Sequence, residues 1–338
     1  MADTVAINNI LVLTRNNKLS FWMGSDYWKN PIRGTDFLKR IINAIKLIIG
    51  ISIHNASICH INLLRSNYLV DILLCRIMGC KVIGHIRSLS SQVKISTCTL
   101  RKCDAIICTS TAVEREIRKQ ISLKTIYTIY DPIEINKQSP ENSLILNQFN
   151  FNSHKAFIIS SVGILDPRKG HDTAIQIISE IIKKIPESVL LIIGGELSSK
   201  NEEKSRLTEM VKSLYIEEHV IFGGHIENID QIYRISDIIL ALSKDGEAFG
   251  RVPLEAASNH RITIGTNIGA TPEIIKHGKT GFLVNPDDNQ SIIDHIIKIH
   301  HNKTLRKKME NAAYLYTKQF YPPNYAKAVC DIYDSLKR

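Results

Sequence analysis

Short apolar runs alternate with longer stretches of helical periodicity along the whole of this 338-residue chain. That alternation constrains the fold most, because strands joined by helical crossovers pair in parallel and need cover on both faces. The expected strands of the first half are Asn9–Thr14, Ile58–Leu63, Lys81–Arg87, Ala105–Ser110 and Thr125–Tyr130. Those of the second half are Ala156–Gly163, Ser188–Gly194, Val220–Gly223, Asp237–Ser243, Arg261–Thr266 and Gly281–Val284. Between the two sets, Asp131–Ser153 carries Pro132, Pro140 and several Asn and Ser, which reads as a linker region. At about 100–200 residues per domain, the pattern predicts two doubly wound α/β domains joined near residue 150.

Helical spacing is clear in Ala174, Ile175, Ile177, Ile178, Ile181, Ile182 and Ile185, after a turn and cap at Gly170-His171-Asp172. In the first half, 36–49 reads as an amphipathic core helix with Lys39, Arg40 and Lys46 on its polar side, and attachment to a membrane surface is the other reading. The charge-free stretch from Leu47 to Leu64 contains Gly50, His54, Asn55, His60 and Asn62, so it divides into a helix end, a turn and a strand rather than a membrane span. The first residues lack the basic and apolar regions of a secretory signal. Seven cysteines form no Cys-x-x-Cys pair, which fits buried free thiols in a reducing cytoplasm.

Charge is the one unusual figure of the composition. The chain carries +10, and residues 1–150 hold 19 Lys/Arg against 10 Asp/Glu, a net +9, whereas residues 151–338 are nearly neutral at +1. Such an excess raises nucleic acid, anionic lipid or a phosphate-bearing substrate as partner. No aromatic-and-basic nucleic-acid module is present, so no nucleic-acid partner is expected. Neither a Gly-x-Gly-x-x-Gly after a strand nor a P-loop occurs, which counts against a nicotinamide dehydrogenase and a P-loop kinase.

Chemistry concentrates in Ser243-Lys-Asp-Gly-Glu-Ala-Phe-Gly-Arg-Val-Pro-Leu-Glu255, after the strand at 237–243. A strand, a Gly-bearing loop and a helix bring ligand-facing groups to the C-terminal sheet edge. Pro253 suits the first helical position, which puts Glu255 in the first turn, tilted back toward Glu247. The amides of Gly250, Arg251 and Val252 stand at the helix N-terminus, where unpaired donors and the helix dipole favour phosphate. Alone, Glu247 is a solvated loop charge and Glu255 an acid favoured by the dipole. Together beside an anion site they suit a phosphorylated sugar, phosphate on amides and cations, hydroxyls on carboxylates.

Glu247 and Glu255, with seven residues between them, resemble the Glu-x7-Glu motif of retaining nucleotide-sugar glycosyltransferases of the GT-B fold, family 4. Ser161-Val-Gly-Ile-Leu-Asp-Pro-Arg-Lys-Gly170, Val220-Ile-Phe-Gly-Gly224, Tyr233-Arg-Ile-Ser-Asp237, Asn267-Ile-Gly-Ala-Thr-Pro-Glu273 and His277-Gly-Lys-Thr-Gly-Phe-Leu-Val284 extend the resemblance over most of residues 156–285. It implies two Rossmann-like doubly wound domains facing across a cleft. Residues 1–150 would bind the acceptor, 151–315 the nucleotide-sugar donor, and 316–338 would pack back on the N-terminal domain. It further implies that Glu255 binds the ribose, that Glu247 meets the sugar near the reacting carbon, and that Lys169 with Arg168 neutralises the leaving diphosphate. Lys81-Val-Ile-Gly-His-Ile-Arg87 resembles the family strand whose histidine faces the active site, which makes His85 the candidate contact for the transferred sugar or acceptor. The chain has no Asp-x-Asp tripeptide, and neither a metal nor another cofactor is expected.

Two departures stand out: Ile164 follows Gly163 where the family has Arg, and Thr14-Arg-Asn-Asn-Lys18 replaces its Gly-Gly acceptor loop. The expected activity is sugar transfer from a nucleotide-diphosphate donor to a lipid-linked saccharide or other precursor of bacterial surface polysaccharide. The expected place is cytoplasmic, on the anionic inner face of the membrane. A catalytically silent scaffold and a sugar-phosphate synthase are the alternatives.

Overall fold

The computed structural model describes residues 8–14, 19–24, 36–89, 91–123, 125–133, 149, 156–196 and 202–337, with side chains described from Ala44 onward. The chain forms two units, Met1–Asp131 with Pro323–Arg338, and Pro132–Pro322. The division falls at Asp131 rather than near residue 150, and residues 134–148 and 150–155 of the expected linker lie outside the described residues.

In the first unit the strands are β1 (Asn8–Thr14), β2 (Leu19–Gly24), β3 (Ala56–Ile61), β4 (Lys81–Ile86), β5 (Ala105–Cys108) and β6 (Ile126–Thr128), in the order β2-β1-β3-β4-β5-β6. β3 to β6 are parallel, as expected, but β1 runs antiparallel to both β2 and β3. Only four residues separate β1 from β2, too few for a parallel crossover. The helix after β2 then returns the chain so that β3 runs with β2, leaving β1 reversed between them. Helices α1 (Asp36–Ile53), α2 (Leu69–Ile77), α3 (Thr97–Arg101) and α4 (Thr111–Gln120) complete the unit. α1 outlasts its expected end at Ile49 and stops before Asn55, whose φ of 46° breaks the helical path. Cys59, Cys75, Cys80, Cys103 and Cys108 are buried thiols, whereas Cys98 and Cys330 are exposed.

The second unit has a fully parallel sheet of β7 (Phe157–Val162), β8 (Ser188–Ile193), β9 (Val220–Gly224), β10 (Ile238–Ala241), β11 (Ile262–Thr266) and β12 (Gly281–Val284). Its helices are α5 (His171–Ile181), α6 (Glu202–Ser213), α7 (Ile229–Ile235), α8 (Arg251–Ser258), α9 (Thr271–Ile274), α10 (Asn289–His301) and α11 (Lys303–Thr317). The isoleucine-rich strands are covered on both faces. Ile159, Leu190, Ile192, Leu240 and Ile264 pack with Ile175, Ile178 and Ile296 on one side. Ile158, Leu191 and Ile239 meet α7 and α8 on the other, through Ile232, Tyr233 and Ala256. The strand order β12-β11-β10-β7-β8-β9 reverses between β7 and β10. From those two neighbours the chain continues to opposite sides, to β8 and to β11, and at such a point doubly wound sheets hold ligands.

The last helix, α12 (Pro322–Lys337), returns to the first unit, where Val329 and Ile332 pack on Ile58, Ile83, Ala105, Ile107 and Ile129. Polar groups fasten it. The Tyr333 hydroxyl lies 2.6 Å from His60 Nδ1, and Arg87 donates to Tyr325, to Asp131 and, at 2.9 Å, to Asn62 Oδ1.

Candidate functional site

The loops after β7 and β10 interlock at the point where the strand order reverses. Lys244 N donates to Arg168 O at 2.8 Å, and Thr266 Oγ1 donates to Ser243 O at 2.7 Å. Ala270 N donates to Glu247 O at 2.8 Å, which pins the Glu247 loop to the turn after β11. Two glycines permit this closeness. Gly170, at φ 73°, would bring a Cβ to 2.1 Å from Leu242 O, and Gly269, at φ 59°, would bring one to 2.5 Å from Glu247 N. Neither position admits a side chain.

On this frame Lys169 Nζ meets Glu247 Oε1 at 2.6 Å, with both side chains partly open to solvent. Arg168 pairs with a neighbouring acid. Its fork grips Asp166 through Nε (2.9 Å) and Nη2 (2.7 Å), and those bonds hold the Asp166 carboxyl down at about 2. The Arg168 guanidinium also lies in the field of Asp245 and Glu247. Within the expected turn and cap before α5, Gly170 caps the helix without a side chain, and Asp172 accepts from Thr173 N at 2.9 Å and from Lys244 Nζ at 2.7 Å.

Glu255 is held on both oxygens. The hydroxyl of fully buried Tyr233 donates to Oε2 at 2.8 Å, and Arg251 Nε donates to Oε1 at 3.1 Å. Burial and the facing Glu255 charge push the Tyr233 phenol well above its ordinary pKa, so the phenol remains a donor. α8 starts at Arg251, which makes Pro253 its third residue and Glu255 its fifth, beyond the first turn. The third amide of a helix has no intrahelical acceptor, so proline costs no hydrogen bond there. Arg251 N turns back to Phe249 O at 3.0 Å and is thereby removed from the expected set of three amides. Among the described residues the amides of Gly250 and Val252 have no acceptor.

Beside these loops lies a cavity of about 230 Å³ lined by Leu165, Ile192, Gly195, Glu196, Lys204 and Phe222. Tyr233 and Asp166 were not among the expected site residues. A tyrosine inside an apolar helix and an acid two residues before Arg168 were the available signals.

His85, in β4 of the first unit, is fully buried, with its ring stacked 5.5 Å from that of His60. Arg87 Nη2 lies 3.4 Å from its Nδ1, which assigns the acceptor role to Nδ1 and the proton to Nε2. Among the described residues that Nε2 has no partner. Burial, then the nearby Arg87, pulls both imidazoles far down, His60 to about 3 and His85 well below its ordinary value, so both are neutral. Residues 15–18, where the Gly-Gly loop was sought, lie outside the described residues.

A parallel sheet with a carboxylate, a lysine and open amides at its reversal point belongs to the class of doubly wound folds that hold ligands there. The structure resembles Anabaena HepE in complex with UDP, with a TM-score of 0.79, 20% identity and coverage of 88% of this chain and 84% of that one, which establishes the GT-B fold. Residues 145–316 match the family "Glycosyl transferases group 1", and the chain belongs to it. Its relatives include N-acetyl-alpha-D-glucosaminyl L-malate synthase of Bacillus anthracis, 26% identical over 69% of this chain and 58% of that protein. Another is the lipopolysaccharide core biosynthesis mannosyltransferase LpsB of Rhizobium meliloti, 25% identical over 71% of this chain and 68% of that protein. The chain spans about half the length of the first curated relatives it matches.

Proposed function

We propose that this chain is a retaining glycosyltransferase that moves a sugar from a nucleotide-diphosphate donor to an acceptor hydroxyl. The observation that carries the reading is the Lys169–Glu247 pair, 2.6 Å apart where the strand order reverses. The two side chains compensate each other until a diphosphate takes the lysine and a sugar hydroxyl takes the carboxylate. Glu255, held by Tyr233 and Arg251, keeps lone pairs for the ribose hydroxyls.

As the bond from the anomeric carbon to the diphosphate breaks, its electron pair passes to the diphosphate oxygen. Lys169, the Arg168 guanidinium and the amides of Gly250 and Val252 stabilise that charge, the most effective use of fixed cations and dipoles. The acceptor oxygen then bonds to the anomeric carbon from the same face, and its proton passes to the leaving diphosphate. His85 offers its Nε2–H to a hydroxyl of the sugar or acceptor. An unpaired buried donor is costly, and such a contact removes that cost. With cations meeting the diphosphate, the reaction is metal-independent.

The acceptor in this reading is a lipid-linked saccharide or similar precursor of bacterial surface polysaccharide, in keeping with the relative named for lipopolysaccharide core biosynthesis. The cation excess of residues 1–150 then serves an anionic membrane surface on the cytoplasmic side. The relative named as an L-malate synthase favours a second reading with a small soluble acceptor. The deciding experiment screens nucleotide sugars by thermal shift and by nucleotide release, with chelator present, against membrane-extracted lipids and against soluble hydroxy acids and sugar phosphates. Release driven by lipid extract supports the first reading, and release driven only by soluble acceptors supports the second. If no nucleotide sugar binds or is consumed, both fail.

A further inference from the structure

The first unit presents an apolar surface that its own fold does not need. α1 and α2 touch one another and bury Leu47, Ile51, Ile72 and Cys75. Their opposite faces carry large apolar side chains where a core helix ordinarily carries charge. Ile45, Ile49 and Ile53 recur at every fourth position of α1, with exposures of 48%, 49% and 72%. Val70, Leu73 and Ile77 follow at three and four along α2, with exposures of 62%, 39% and 80%. Scattered apolar side chains are ordinary on a surface, but two stripes on contacting helices mark an interaction site.

The charges around the stripes select the occupant. Residues 37–103 contain ten Lys or Arg and a single acid, Asp71, which is buried. Lys46 stands exposed between Ile45 and Ile49, and beyond the end of α2 Lys81 stands exposed and shares Asp104, one residue past that stretch, with Arg76, at 3.8 and 2.9 Å. A second copy of this chain would set cation against cation. Apolar side chains beside an excess of cations instead match the boundary between acyl chains and anionic headgroups. Among the described residues no helix is long and apolar enough to cross a membrane, so the surface lies on the bilayer rather than through it.

We infer that the outer faces of α1 and α2 insert into the headgroup boundary of an anionic phospholipid bilayer. The inference deepens the membrane reading proposed above, from attraction of charges to insertion of named side chains. The test is co-sedimentation of the full chain with phosphatidylcholine vesicles, with and without phosphatidylglycerol, for wild type and for the combined variant Ile49→Gln, Ile53→Gln and Ile77→Gln. Wild type binds only the anionic vesicles, and the variant binds them at least about tenfold more weakly, with an unchanged thermal midpoint because the replaced side chains are exposed. Hydrogen exchange on wild type supplies a readout that needs no variant, with added protection over 44–53 and 69–78 when vesicles are present.

Equal binding by variant and wild type, or protection elsewhere, overturns insertion while leaving the charge reading in place. Absence of binding to anionic vesicles overturns both. A wild-type dimer that becomes monomeric in the variant, with no vesicle binding, assigns the face to a second copy and overturns the inference. Donor consumption with a soluble acceptor is followed in parallel, so a failed membrane test and a failed transferase reading are distinguished.

Discussion

Replacing Glu247 by Gln separates a catalytic role from a structural one, because the structure predicts very different magnitudes for the two. The carboxylate meets Lys169 at 2.6 Å, and the side chains are 28% and 29% exposed. At an effective dielectric of ~20 the attraction is ~6 kcal/mol. Desolvation and side-chain ordering offset most of that in a pair open to solvent, leaving a net of ~1 kcal/mol. Glutamine keeps an oxygen that accepts from the lysine, so the thermal midpoint of the Pro132–Pro322 unit should fall by about 2–4 °C at most. Turnover should fall about 10²–10³-fold, the scale on which loss of one placed electrostatic contact acts on a transition state. Nucleotide release under donor saturation measures the second quantity, and differential scanning fluorimetry measures the first. A variant retaining turnover within about fivefold of wild type would refute the catalytic assignment. So would a fall of the midpoint by more than about 10 °C, which would make the pair a structural tie.

Tyr233→Phe removes a hydroxyl bonded to a carboxylate and leaves the ring, so stability should drop by about 1.5–3 kcal/mol. Because Glu255 then loses one of its two holds, the KM for donor should rise more than kcat falls; the reverse split in steady-state kinetics would contradict the ribose assignment. Gly170→Ala drives a Cβ against Leu242 O in a left-handed backbone, and urea denaturation should record a loss of at least about 3 kcal/mol. The buried imidazoles make stability pH-dependent. Unfolded histidines take protons near 6.5, whereas His60 in the fold does so only near 3, so the unfolded state binds more protons in between. Stability therefore falls as pH drops below about 6.5, by about 1.4 kcal/mol per pH unit for each group. His60→Gln should show a correspondingly shallower slope in denaturation at pH 7, 6 and 5, and parallel slopes would rule the assignment out.

The parallel sheet of the second unit was legible because its strands are mostly apolar runs, interrupted only by small polar residues such as Ser160 and Thr263, and each expected strand lies within a residue or two of the observed one. In the first unit β2 escaped notice, since Leu19–Gly24 mixes Ser20 with Trp22 and Met23 and stands only four residues after β1. With it went the reversal of β1, which depends on chain direction and not on any local pattern. At the site, the spacing of Glu247 and Glu255 singled out the two carboxylates, whereas Lys169 came only from the resemblance of its loop to that of the family; the structure sets it against Glu247. The partners that hold them were hidden, because the bond between Tyr233 and Glu255 spans 22 residues and is set by the packing of α7 against α8. Pro253 misled by one reasonable assumption: proline is tolerated throughout the first turn, and its presence did not mark the first residue.

The return of α12 to the first unit bears on how the protein is made. During synthesis β3, β4 and β5 leave the ribosome long before Val329 and Ile332, and all of residues 132–322 emerge in the interval. Domains that are contiguous in sequence fold in the order of their synthesis. Here the later unit can finish while the earlier one still has Ile58, Ile83 and Ile107 uncovered, with His60 and Arg87 awaiting Tyr333 and Tyr325. A fragment ended at Asp131 would expose that face permanently, so a separable first unit must carry residues 323–337 grafted onto it. A stop codon shortly before α12 would spare the second unit and leave the first unfinished.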